Sequence, residues 1–146
     1  MNTRQVDTRV ERIVDLFEQL RPSDLEHLGQ FYNADARFKD PFNEVRGTDA
    51  VAAVFRHMFD TLDNPRFVIK DAFVQGDQCF LSWDFVFRMR RFRHDELTVR
   101  GASHLVFDAA GMVSNHRDYW DAAEELYEKL PVVGTLMRWL KNRASG

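Results

Sequence analysis

One cysteine, Cys79, is all the chain offers to sulfur chemistry. A lone thiol closes no internal disulfide, so the sequence fits a reducing compartment, and a cytoplasmic location is expected. No apolar run approaches the roughly 20 residues needed to cross a bilayer. The Met1–Glu11 stretch is polar and lacks the apolar segment of a signal peptide. Membrane contact is therefore not expected. A Gly-rich phosphate loop and a C-x-x-C pair are both missing. The histidines (His27, His57, His94, His104 and His116) are scattered without metal-ligand spacing, so no metal or cofactor is expected. Basic charge is also in deficit: 20 Lys and Arg stand against 23 Asp and Glu, for a net charge of -3, which does not favour a nucleic-acid partner. With no internal repeat, low-complexity tract or linker-like shift, residues 1–146 read as a single domain with a C-terminal helical extension at about 122–143.

What the chain has in excess is phenylalanine: 13 of them, beside 3 Trp and 3 Tyr. A core, an apolar pocket and a subunit interface are each able to use them. Their spacing begins to sort them. Val10, Ile13, Val14, Phe17 and Leu20 recur at helical intervals, and Pro22 ends that stripe. Ser23 with Glu26 three residues on is a reciprocal N-terminal capping pattern, and Leu25, Leu28, Phe31 and Tyr32 form the buried side of the helix it opens. Phe38-Lys39-Asp40-Pro41 is short and extended, since a residue before proline is pushed out of the helical region. Thr48 is a candidate cap for a third helix, whose stripe is Val51, Val54, Phe55, Met58, Phe59 and Leu62.

After Pro65 the hydrophobic period drops to two. Strands are expected near 66–75, 78–90, 96–108 and 112–120, with breaks short enough for an antiparallel meander. One of them carries Cys79, Leu81, Trp83, Phe85, Phe87 and Met89 on one face and Phe80, Ser82, Asp84, Val86 and Arg88 on the other. Asp121 with Glu124 opens a last helix. Helices first and strands after make an α+β pattern: a cone, with helices packed in the concave face of a curved, mostly antiparallel sheet.

Three local motifs sharpen this. They are Ser23-Asp24-Leu25, then Phe38-Lys39-Asp40-Pro41 followed by Gly47-Thr48, then Arg117-Asp118-Tyr119-Trp120-Asp121. In this order the chain resembles the nuclear transport factor 2-like superfamily, and within it the SnoaL-like (polyketide-cyclase-like) and limonene-epoxide-hydrolase-like proteins. The resemblance implies a cystatin-like cone with a pocket at its open end. By analogy with ketosteroid isomerases it makes Asp40 a candidate general base, while Leu16 and Ser103 stand where the enolate-stabilising tyrosine and acid would be. By analogy with limonene-epoxide hydrolases it makes Asp118 the water-activating carboxylate and Asp84 the acid. Ser82 then stands in place of the bridging arginine, and Asp40 in place of the water-positioning asparagine.

The residues themselves leave alternatives beside these roles. His116, Asp118 and Trp120 share one face of a period-two strand, which suits an orienting partner, a base and a wall. A structural carboxylate at the sheet end is the other reading of Asp118. Asp84 is either a protonated acid facing Asp118, half of a salt bridge with Arg88 or Arg100, or simply exposed if its face looks outward. Asp40 is either a rim base or a turn residue bonded to local N–H groups. Phe38, Phe80, Ser82, Ser103, Leu105 and Trp120 are the candidate pocket walls. Cys79 reads as a small core hydrophobe. Arg88, Arg90, Arg91 and Arg93 mimic a nucleic-acid stripe but suit a solvated hairpin tip. The tail from Pro131 to Arg143 suits a helix packed on the domain or on a second subunit, or one lying on a membrane surface.

The expected function is a small-molecule pocket protein: a cofactor-independent acid–base enzyme of isomerase, cyclase or epoxide-hydrolase type acting on a small apolar molecule. The competing class is a non-catalytic ligand-binding or dimeric assembly module. Geometry separates them. Asp84 and Asp118 facing one closed cavity favour the enzyme; a cavity filled by Phe and Trp side chains, or Asp84 pointing to bulk water, favours the module. If the Asp84 face is concave, Trp83, Phe85 and Phe87 form a convex apolar patch, which predicts a homodimer through the convex sheet face.

Overall fold

The computed structural model describes residues 7–89 and 96–125. Helix α1 (Thr8–Glu18) starts at Asp7, whose carboxylate accepts from the Arg9 backbone N–H at 3.0 Å. Arg9 also pins this helix to the far hairpin turn, donating to Asp77 and to the Gly76 carbonyl at 2.8 Å each. A 3-10 helix (Pro22–Gln30) follows. Its capping contact differs from the expected one: the Asp24 carboxylate, rather than the Ser23 and Glu26 pair, accepts from the Arg21 N–H at 2.8 Å. Strand β1 (Tyr32–Lys39), strand β2 (Glu44–Arg46), helix α2 (Thr48–Thr61) and strands β3 (Leu62–Gln75), β4 (Gln78–Met89), β5 (Glu96–Phe107) and β6 (Val113–Tyr119) come next, then a short α3 (Ala122–Glu125).

Two local expectations are corrected here. Tyr32 ends no helix; it opens β1, because the alternation through Ala36 and Phe38 extends further back than the Phe38–Pro41 segment alone suggests. Thr48 does not cap α2. Gly47 holds that place at φ +97°, where a side chain is strained. The Thr48 hydroxyl instead donates to the Asn33 carbonyl of β1 at 2.9 Å. Asp121 does behave as a cap, accepting from the Glu124 N–H at 3.1 Å.

The strands form one sheet in the order β2-β1-β6-β5-β4-β3. The expected meander β3–β4–β5–β6 is antiparallel throughout, and β1 joins it by a parallel pairing with β6. Bulges between Asp63 and Arg66 and between Ile69 and Asp71 bend β3, giving the sheet a concave side. There Ile13, Leu16 and Phe17 of α1 and Val51, Ala52 and Phe55 of α2 pack with Leu81, Val99, Leu105 and Val113. The α+β cone is thus the observed fold. At the tight β5–β6 turn, Asp108 accepts from the Ala110 and Met112 N–H groups at 2.9 Å each, and from Asn33 of β1 at 2.7 Å. The Asn33 amide and then the Met112 N–H hold its carboxyl below the usual carboxylate range.

The larger correction concerns which face is inside. Alternation divides β4 correctly into two sets but does not say which set the helices cover. Cys79, Leu81, Trp83 and Phe87 are buried on the concave side. Phe80, 48% exposed, lies on the convex side with Ser82 and Asp84. The apolar set wins the interior because burying Asp84 and Arg88 there would require a partner for each charge. The proposed convex patch of Trp83, Phe85 and Phe87 therefore does not exist. The arginine stripe beyond Arg88 and the tail from Pro131 lie outside the described residues.

Candidate functional site

A cavity of about 250 Å³ opens between α2, the Asp40–Asn43 turn and the concave faces of the strands. Eight of its eighteen lining residues are aromatic, among them Phe38, Phe55, Phe67, Trp83, Phe85 and Trp120. Phe67 lies opposite Phe85 in the β3–β4 register, and their rings stack at 4.7 Å. Trp83 meets Phe67 edge-on at 5.5 Å. The indole has room because β5 carries Gly101 opposite it; a Cβ on Gly101 would overlap the six-membered ring.

Asp118 is the carboxylate that reaches this apolar wall from the sheet. Its side chain is 13% exposed, and its Oδ1 accepts from Ser103 Oγ at 2.5 Å and bonds His116 Nε2 at 2.6 Å. The chain of contacts extends both ways. Trp83 Nε1 donates to Ser103 Oγ at 2.8 Å, and Tyr32 Oη lies 2.7 Å from His116 Nδ1.

The end groups fix the direction of every bond. Indole N–H only donates, so Ser103 accepts from it and turns its own proton to Asp118. Burial, and then the charge of Asp118, push the Tyr32 phenol well above its ordinary pKa, so Tyr32 is a neutral donor. It gives its proton to Nδ1, leaving Nε2–H to donate to Asp118. A doubly protonated ring would leave the Tyr32 hydrogen without an acceptor among the described residues. The matched arrangement is therefore a His116 ring that accepts from Tyr32 at Nδ1 and donates from Nε2 to Asp118. Phe38 holds the His116 ring edge-on at 4.8 Å, and Phe17 packs on it at 5.6 Å. Asp118 Oδ2 receives no hydrogen bond from any described residue.

The other sequence candidates are distributed unevenly. Phe38 and Trp120 line the cavity. Ser103 lies one layer behind it as a donor to Asp118, and Leu105 is fully buried core opposite His116. Asp40 is at the rim, but its Oδ1 accepts from the Phe42 N–H at 2.8 Å, the Asn43 N–H at 2.6 Å and the Asn43 amide at 3.0 Å. Those bonds are those of a turn aspartate. Asp84, Ser82 and Phe80 are on the convex side, away from the cavity. Asp84 pairs there with Lys70 at 3.3 Å, and Ser82 bonds Asp71 at 3.3 Å. Asp84 and Asp118 share no cavity, because residues of one parity on β4 cannot reach the face that Asp118 occupies. Burial pushes the Cys79 thiol up to about 11, as suits an inert core cysteine. Sequence reasoning missed Tyr32, and it placed Trp83, Phe85 and Phe87 outside. Among the described residues no cluster of His, Cys, Asp or Glu could hold a metal ion, and no helix is long and apolar enough to cross a membrane.

A family model described as a SnoaL-like domain matches residues 10–116. Solved structures match over most of the chain. A Catenulispora acidiphila hypothetical protein with a ketosteroid isomerase-like fold, in complex with trimethylamine, aligns with a TM-score of 0.71 at 15% identity, covering 84% of this chain and 92% of that one. A Jannaschia protein named for the SnoaL-like polyketide cyclases gives 0.70 at 15% identity, covering 85% and 93%. An M. tuberculosis LEH-like epoxide hydrolase gives 0.68 at 14% identity, covering 91% and 96%. At such identities the likeness is one of fold. No curated protein matches the chain.

The Gly101 contact makes the network testable. Gly101→Ala should force the Trp83 ring away, break its bond to Ser103 and lower stability by about 1–3 kcal/mol through overpacking. Chemical denaturation and the Trp83 indole N–H resonance check this. An unshifted resonance with an unchanged midpoint would contradict the packing described.

Proposed function

The chain belongs to the SnoaL-like domain family, whose relatives include proteins named as isomerases, cyclases and epoxide hydrolases, and from that premise we propose that it is a pocket protein for a compact apolar molecule in which Asp118 acts as a single proton acceptor. The observation that carries this reading is the division of labour within one carboxylate. Oδ1 is held by two neutral donors, and Oδ2 is free of described protein contacts beside an aromatic cavity. A base fixed in this way needs no reorganisation when it accepts a proton. The cavity volume, about 250 Å³, lies just below the usual range of roughly 300–1,000 Å³ for ligand sites, which favours a small substrate.

The chemistry is proton transfer of the isomerase or cyclase kind. A C–H bond activated by an adjacent unsaturated group gives its proton to Oδ2, and the protonated carboxyl returns it to another atom of the same substrate. His116 and Ser103 orient the base; Phe38 and Trp120 are walls. Epoxide opening by an acid and a base is the weaker member of the set, since Asp84 is paired on the convex side. That same observation favours a second reading, a ligand-binding module without turnover. The buried free thiol of Cys79 suits the cytoplasm.

Pairing with a second copy of the chain also belongs to this reading, through convex residues different from those first expected. Phe73 and Phe80 lie opposite each other in register and are 69% and 48% exposed, and Val68, opposite Asp84, is on the same face. Such a patch is suited to a two-fold contact.

Two outcomes test the proposal. In D2O, compact molecules whose C–H bond is activated by an adjacent C=O or C=N group should exchange that proton in the presence of the protein, followed by NMR. Asp118→Asn should slow this by about 100-fold or more while the fold is retained. Binding of the same compounds without exchange would support the module instead. For the assembly, light scattering should give a dimer that Phe80→Glu converts to a monomer. A wild-type monomer at high concentration would contradict it.

A further inference from the structure

The same cavity holds a base without an electrophile. Removing a proton from carbon leaves an electron pair that must be stabilised, and enzymes ordinarily aim donors or cations at the atom that receives it. Here the described lining contains no lysine or arginine. Its interior donors are already committed: Trp83 to Ser103, Asn43 to Asp40, and Thr61 to the His57 carbonyl at 2.7 Å. The lining donors left over are His57, which is exposed, and Trp120, which packs on the exposed Phe42 at 5.5 Å. Among the described residues, Lys39 and Arg117 line a neighbouring groove with Asp118 but not this cavity, and both are engaged, Lys39 with Glu44 at 3.4 Å and Arg117 over the Tyr119 ring at 4.8 Å.

The charge balance points the same way. With His116 neutral, the largely buried Asp118 has no counter-charge among the described residues, and Asp40 adds a second negative charge at the rim. An uncompensated carboxylate beside an apolar wall is unfavourable, and a ligand that brings positive charge relieves it. The walls suit the same ligand, since aromatic faces attract a cation once it is stripped of water.

We infer that the pocket takes a compact organic monocation centred on nitrogen, with its charge between Asp118 Oδ2 and the aromatic rings of Phe38, Phe55, Phe67, Trp83 and Trp120. This rests on the reading of the cavity as a ligand pocket and gives it a substrate class. It also supplies the missing electrophile. In an iminium substrate the C–H bond next to the C=N carbon breaks and its proton passes to Oδ2. The freed pair forms a C=C bond, and the C=N π pair moves onto nitrogen. The product is a neutral enamine, and no oxyanion forms.

Choline and its carbon isostere 3,3-dimethylbutan-1-ol test this, because they share shape and hydroxyl and differ in charge. Titrations of the whole chain, followed by tryptophan fluorescence and ligand-observed NMR, should give choline a Kd at least tenfold lower. Asp118→Asn should remove most of that ratio. Equal affinity of the two for the wild-type protein would overturn the inference and keep an apolar pocket. Binding of neither would overturn the pocket reading itself. The wild-type ratio decides the matter even if the variant fails to fold.

Discussion

The site depends on a single constraint: one carboxylate held ionised against an apolar sheet face by donors that carry no charge. Taking a carboxylate out of water costs several kcal/mol even in a relaxed protein, and each hydrogen bond to a charged group returns about 1.5–3 kcal/mol. Two such bonds, from Ser103 and His116, offset much of that cost but supply no counter-charge. Each donor in turn needs its own partner. Ser103 is oriented by Trp83, and Trp83 requires the absence of a side chain at Gly101. His116 is oriented by Tyr32 and caged by Phe17 and Phe38. Six side chains and one glycine are thus tied to the state of one oxygen atom.

The parallel pairing of β1 with β6 makes this possible. It sets Phe38 directly opposite His116 and brings Tyr32 to a ring 84 positions away in sequence. The register shifts between Tyr32 and Arg37, so that Tyr32 pairs with Val113 and Phe38 with His116. The Asn33–Asp108 bond ties the start of β1 to the β5–β6 turn, so the parallel pair is clamped at the end where Tyr32 lies. The antiparallel meander supplies the apolar walls; the crossing β1 supplies the polar support. The aromatic excess therefore serves the interior: most of the large rings enclose the cavity or the His116 ring, and Phe73 and Phe80 remain outside.

Much of this was legible in the sequence. Period-two patterning located the four long strands to within a few residues, and it put His116 and Asp118 on one face. The motif around Asp118 identified the residue on which the site turns. Period alone was silent on which face of β4 is buried, and treating Asp84 as a catalytic acid chose the wrong one. Counting charge would have corrected it, because the Asp84 face also carries Arg88, whereas the other carries only Cys79, Leu81, Trp83, Phe85, Phe87 and Met89. Tyr32 was lost for a different reason. It sits at a helix-to-strand junction, where helical spacing from Leu25 and strand alternation toward Phe38 both include it. Its role comes from a contact between distant strands, which local pattern does not encode.

The account stands or falls on the protonation pattern of His116. A neutral ring with hydrogen on Nε2 leaves Asp118 without a counter-charge among the described residues, and from this follow both the free proton-accepting oxygen and the preference for a cation. Nitrogen-15 NMR of the histidine ring at neutral pH reads that pattern directly. The account predicts an unprotonated Nδ1 accepting from Tyr32 and a protonated Nε2 donating to Asp118. A ring protonated on both nitrogens, or on Nδ1 alone, would contradict it.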